Sequence, residues 1–199
     1  MTEKQIERVR TKITRVKHEL AADKKRWGGY YDDSAGLRYV APCLYLKIRD
    51  FKGAMNYFRW FSKNFPDDCC YGVFLLEWSL TLFKLGKVED ARQKVTDAYF
   101  SDTRVLNKFL GRQVTMVDET INSFERDWSE KQVLGYSAKE NDWADFAVWL
   151  ETLLTSEPFL SLSKEYLEIQ DQLKTESDPA KRGKLLEMEE ALNKKLRVW

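Results

Sequence analysis

Arg49-Asp50-Phe51-Lys52-Gly53-Ala54-Met55-Asn56-Tyr57-Phe58 and Gly86-Lys87-Val88-Glu89-Asp90-Ala91-Arg92-Gln93-Lys94-Val95 are two versions of one pattern, 37 residues apart. In each, a turn is followed by an apolar residue, an Ala three positions later and another apolar residue four beyond that: Phe51/Val88, Ala54/Ala91 and Phe58/Val95. This is the spacing of one helix face. The small Ala suits a point where a helix crosses its neighbour closely, and the larger residues fill the space beside it. An apolar helix precedes each turn. The first carries Leu37, Val40, Leu44, Tyr45 and Ile48, the second Phe74, Leu75, Trp78, Leu82 and Leu85. The stretch from Ala35 to Thr103 therefore predicts two helical pairs in succession. Pro42 stands inside the first helix, where a proline costs about 3 kcal/mol unless a kink absorbs it. That helix is expected to bend or to start late.

Toward the N-terminus, Ile6, Val9, Ile13, Val16 and Leu20 form a two-heptad apolar seam on an otherwise charged helix over residues 1–26. Two heptads are short for a free-standing coiled coil, so the seam docks on the chain's own body or pairs with a second chain; docking is the expectation. Gly28-Gly29 breaks the helix, and Asp33 or Ser34 is placed to cap the next one. Beyond the repeats, Val117–Lys131 reads as a helix with Ile121, Phe124 and Trp128 on one side. Ser137 can cap another, whose face is Trp143, Phe146, Ala147, Leu150 and Leu154. Pro158 suits the first turn of its successor, which shows Leu162, Tyr166, Ile169 and Leu173. Ser177-Asp178-Pro179 turns the chain into a last helix with Leu185, Met188, Leu192 and Leu196, which makes residues 161–199 a helical hairpin. No strand-like alternation persists.

The repeat pattern resembles the tetratricopeptide motif: a helix, a Gly-Asp-Tyr-type turn, an Ala-x-x-x-Phe/Tyr helix and a closing Pro. Residues 35–68 carry Tyr45, Asp50, Phe51, Ala54, Phe58 and Pro66 at matching places, and residues 72–105 carry Gly86, Val88, Ala91, Val95 and Ala98. The usual Leu-Gly pair is Ala41-Pro42 in the first repeat and Trp78-Ser79 in the second, and Thr103 replaces the second Pro. Asp33-Ser34-Ala35-Gly36-Leu37-Arg38-Tyr39 with the later Asn107-Lys108-Phe109-Leu110-Gly111 is also similar to segments of an uncharacterised group of tetratricopeptide-like proteins. The resemblance implies an all-α fold of stacked helical hairpins, with a repeat body over 35–160 flanked by the N-terminal helix and the C-terminal hairpin. The three parts are expected to form one compact unit.

Composition agrees with helices. Of 199 residues, nine are Gly and four Pro, and 33% are charged. The 33 basic and 32 acidic residues leave a formal charge of +1, so no whole-chain field draws in nucleic acid or an anionic membrane. No stretch approaches the ~20 apolar residues that span a bilayer. The charged N-terminal helix does not read as a secretory leader, and a cytoplasmic protein is expected.

Catalytic chemistry finds few candidates. The three cysteines, Cys43, Cys69 and Cys70, are too few and too oddly spaced for a disulfide framework or a zinc site. Cys43 is read as a small core residue and the Cys69-Cys70 pair as the start of a helix. His18, the single histidine, lies on the polar side of its helix. The acid pairs Asp32-Asp33, Asp67-Asp68 and Glu189-Glu190 fit capping and solvation. Glu77, within a mostly apolar helix, needs a partner if buried. No enzyme activity, metal or cofactor is expected.

In the tetratricopeptide family a peptide lies against the first helix of each pair. By that resemblance the wall carries Tyr39, Cys43, Leu46 and Lys47 in the first repeat and Leu76, Leu80, Phe83 and Lys84 in the second. Only Lys47 and Lys84 could serve in a carboxylate clamp, which is disfavoured. An apolar wall is covered by a helix of the same chain or by a partner's helix. The expected function is a scaffold or adaptor that binds another protein or peptide. The alternatives are a self-associating structural protein, dimeric through its terminal helices, and a neutralising partner of a toxin or enzyme.

Overall fold

A computed structural model describes residues 1–112 and 134–196. The helix expected over Val117–Lys131 lies outside them. Among the described residues the chain is all-helical, with nine α-helices and no strand. It divides into two compact units, Met1–Ser101 and Asp102–Trp199. The boundary falls inside the stretch read as one repeat body.

The first unit opens with α1 (Glu3–Arg26). Thr2 and Gln5 form a reciprocal capping box: the Gln5 N–H donates to Thr2 Oγ1 and the Thr2 N–H to Gln5 Oε1. The seam faces its own chain. Val9, Ile13, Val16 and Leu20 are buried in one core with Ala41, Tyr45, Ala54, Tyr57, Phe58, Phe61 and Phe74, and Ile6 is half-buried at the end.

A single 3-10 turn, Leu37–Tyr39, precedes α2 (Ala41–Lys47). Asp33 caps this entry, accepting from the N–H groups of Leu37 and Arg38 at 2.8 Å each. The late start resolves the proline conflict: Pro42 sits in the first turn of α2, where its missing N–H costs nothing. Then come α3 (Phe51–Asn64), α4 (Gly72–Lys84) and α5 (Val88–Ser101). Neighbours pack in order, α1 on α2, α2 on α3, α3 on α4 and α4 on α5, and α2 also lies against α4.

The two pairs repeat in detail. α2 and α4 end at Lys47 and Lys84, α3 and α5 begin at Phe51 and Val88, and each second helix has 14 residues. The turn bonds recur at the same 37-residue offset. The N–H of Asp50 reaches Tyr45 O as that of Lys87 reaches Leu82 O, and the N–H of Ala54 reaches Asp50 O as that of Ala91 reaches Lys87 O. The residue that reverses the chain is left-handed in both turns, Arg49 at φ 59° and Gly86 at φ 75°. Ala54 and Ala91 are both fully buried. Beside Ala91, Ser79 on α4 donates to its carbonyl oxygen at 3.0 Å, as only a close helix crossing permits. Between the pairs Phe58 stacks on Trp78 at 4.6 Å, nearly parallel.

The second unit contains α6 (Arg104–Leu110), α7 (Ala144–Leu154), α8 (Glu157–Thr175) and α9 (Pro179–Leu196). Trp143, Phe146, Ala147 and Leu150 are buried, with Leu154 half-buried at the end of that face; Phe146 meets Phe109 edge-on at 5.5 Å. Pro158 lies in the first turn of α8. Asp178 caps α9 through the N–H groups of Ala180 and Lys181, and Arg182 donates back to Leu173 O, which closes the α8–α9 hairpin. Tyr166, Ile169, Leu173, Leu185 and Leu192 are buried; Met188, expected on that seam, is exposed. The buried spacing in α9 is Leu185 to Leu192, so Met188 falls at the edge of the contact.

Candidate functional site

The eight residues read as a binding wall are placed unequally. Leu46, Leu76 and Leu80 are buried completely. Cys43 and Lys47 are exposed on α2, and Phe83 and Lys84 are half-buried at the end of α4. Tyr39 stands on the 3-10 turn ahead of α2. Its hydroxyl donates into the Asp68 carboxylate at 2.5 and 2.6 Å, and its ring packs edge-on against Tyr71 and Phe74.

Tyr39 belongs to a charged cluster that the sequence did not announce. Arg38 Nε reaches Asp68 Oδ2 at 2.8 Å, and its Nη1 reaches Asp33 Oδ2 at 3.1 Å and Asp33 O at 2.7 Å. The guanidinium also lies over the Tyr39 ring at 4.5 Å and the Phe65 ring at 5.1 Å. The two carboxylates are only 5% and 11% exposed. Burial alone would raise the Asp68 carboxyl; the bonds from Tyr39, the Cys70 N–H and Arg38 outweigh it and hold the pKa below the usual range. The cluster ties the segment before α2 to the segment after α3: one guanidinium is shared by two carboxylates, whose remaining partners are the neutral N–H groups of Leu37, Arg38 and Cys70 and the Tyr39 hydroxyl. Its chemistry is structural.

The cysteines depart from expectation. Cys43 is exposed on α2 rather than a core residue, though its thiol turns back to donate to Val40 O at 3.2 Å. Cys69-Cys70 lies in the segment ahead of α4, which starts at Gly72; Cys70 is left-handed at φ 58°, and its N–H donates to the Asp68 carboxylate at 2.8 Å. Burial, then the Glu77 charge, push the Cys43 thiol up to about 12, and burial, then Asp68, do the same to Cys70. Such thiols are poor nucleophiles at neutral pH. Glu77 is buried, and His18 is exposed. Among the described residues no group of three or more His, Cys, Asp or Glu is placed to hold a metal. No described helix is long and apolar enough to cross a membrane.

The first unit also has a cavity of about 370 Å³, open to solvent, between α1, α2 and α3. Its walls are the rings of Tyr31, Tyr45, Tyr57 and Trp60, with Lys17 and Asn56 among the lining. Sequence reasoning missed it. The signal was present as two helix faces, Gly53, Asn56, Tyr57 and Trp60 on α3 and Lys17, Leu20 and Ala21 on α1.

Compared with family models, curated proteins and solved structures, the chain finds no match in any of the three.

Proposed function

We propose that this chain is a non-catalytic scaffold of the tetratricopeptide type that binds a partner polypeptide. One observation carries the reading: two helical pairs of unlike sequence repeat the same turn bonds 37 residues apart, with a buried Ala at each crossing. A repeated helical pair multiplies one surface in a row, which is the physical use of such arrays. Of the eight wall residues, Cys43 and Lys47 are exposed and Tyr39, Phe83 and Lys84 half-buried. Leu46, Leu76 and Leu80 serve as core beneath them.

The test is affinity capture from the source cells, quantified by mass spectrometry, with the wild-type chain and a Lys47→Glu/Lys84→Glu variant side by side. A polypeptide enriched by the wild type and lost from the variant is expected. Equal recovery by both chains counts against the scaffold.

Self-association is a second reading, favoured by the exposed Leu186 and Met188 on α9, 48% and 50% accessible. The α1 seam is already occupied by its own unit, so a second copy would use the C-terminal hairpin. Light scattering of the wild type and a Leu186→Lys/Met188→Lys variant decides: a dimer that the variant dissociates supports it, and a monomeric wild type removes it.

A further inference from the structure

We infer that the cavity between α1, α2 and α3 is a binding site for a small aromatic carboxylate. About 370 Å³ lies within the range of roughly 300–1,000 Å³ typical of ligand pockets. The wall residues have partners of their own. The Tyr57 hydroxyl donates to Arg38 O at 2.8 Å. The Tyr31 hydroxyl reaches Asn64 Oδ1 at 3.4 Å, and the Lys24 ammonium lies over the Tyr31 ring at 4.9 Å. Trp60 meets Tyr31 edge-on at 6.0 Å and Tyr57 at 5.0 Å. Gly53 makes room for the Asp50 carboxylate and the Tyr45 ring: a Cβ there would run into Asp50 Oδ2 and stand 2.6 Å from Tyr45 Cε1. Four anchored rings around an open space offer flat faces and edges to another ring.

The polar groups say what that ring carries. Lys17 is the one charged residue of the lining, and it forms no ion pair among the described residues. Asn56 is exposed at the rim and its amide makes no hydrogen bond among the described residues. Asp50, the acid adjoining Gly53, caps α3 by accepting the Gly53 N–H at 2.8 Å; it keeps its charge but is not part of the lining, where Lys17 is. A free ammonium and a free amide beside aromatic walls match a planar monoanion. A cation would meet Lys17, and a phosphate would want the several charge-assisted donors that are missing from this lining.

Nuclear magnetic resonance tests this on the full chain. The probe is 2-naphthylacetate, compared with its neutral amide, 2-naphthylacetamide, and with 2-naphthylethylamine. The readout is the indole N–H resonance of Trp60, assigned by Trp60→Phe. The acid is expected to shift that resonance saturably and to bind about fivefold tighter than the amide, the scale of one partly exposed charge pair. Lys17→Met, at an exposed position, is expected to erase the preference for acid over amide while leaving the remaining indole resonances in place. A Trp60 resonance that does not move overturns the inference. So does tighter binding of the amine, or an acid preference that survives Lys17→Met.

Discussion

Arg38→Met removes the one cation between Asp33 and Asp68 and keeps most of the apolar length that lies on Tyr39 and Phe65. Two carboxylates, 5% and 11% exposed, then face each other's charge without a counterion. Breaking a buried pair from one side costs about 3–5 kcal/mol. Here each carboxylate keeps other donors: Asp33 holds the N–H groups of Leu37 and Arg38, and Asp68 holds Tyr39 and the Cys70 N–H. The low end, about 3 kcal/mol, is therefore expected. With a urea slope of about 1.5 kcal/mol/M for a unit of this size, the midpoint should fall by about 2 M. Amide exchange in α3 and α4 under increasing urea is the right assay, because whole-chain dichroism would blend the transitions of two units. The Asp68 pKa is depressed in the folded state, so the stability it contributes is present above the unfolded value near 3.9 and is lost as pH falls below it. The gap between wild type and variant should accordingly narrow from pH 7 to about pH 3. A cost under about 1 kcal/mol at pH 7, the range of an exposed pair, would refute the idea that this cluster fastens the segments around the first helical pair.

Leu20→Ala, at a buried position of α1, should cost about 2–5 kcal/mol in urea unfolding, whereas the same change at the exposed Leu186 should stay within about 0.5 kcal/mol. Arg49→Gly relieves a left-handed residue whose counterpart in the second turn is already glycine but gives up the Arg49 Nη1 bond to Leu46 O at 2.8 Å; the two offset, and the urea midpoint of the first unit should move by the equivalent of less than about 1 kcal/mol. Iodoacetamide at pH 8 should label the exposed Cys69 before its half-buried neighbour Cys70, whose thiol burial and the Asp68 charge push up, as peptide mass mapping would show.

Local pattern made much of this architecture readable. The 37-residue offset places both turns, because the hydrogen bonds that reverse the chain lie within a few residues of each other. The α1 seam and the α8–α9 hairpin follow from three- and four-residue spacing, which is a property of one helix at a time. What escaped depends on segments meeting in space. Arg38 and Asp68 were both in view, yet their bond spans 30 residues, and nothing in either sequence context points to the other. The cavity likewise needs α1 laid beside α3 before Lys17 and Trp60 share a wall. Burial of Leu46, Leu76 and Leu80 could not be separated from exposure, since an apolar helix face reads the same under a neighbour or in an open groove. Pro42 was readable as a conflict, and the fold resolved it by shortening α2.

The scaffold reading is tested most directly by a photo-crosslinker, p-benzoylphenylalanine, placed at Lys47 on α2 and, as a control, at the exposed Lys63 near the end of α3, in the source cells. Position 47 is expected to give one discrete polypeptide adduct that position 63 does not. The same products from both positions, or unmodified chain from position 47, would contradict a partner seated on the first helices.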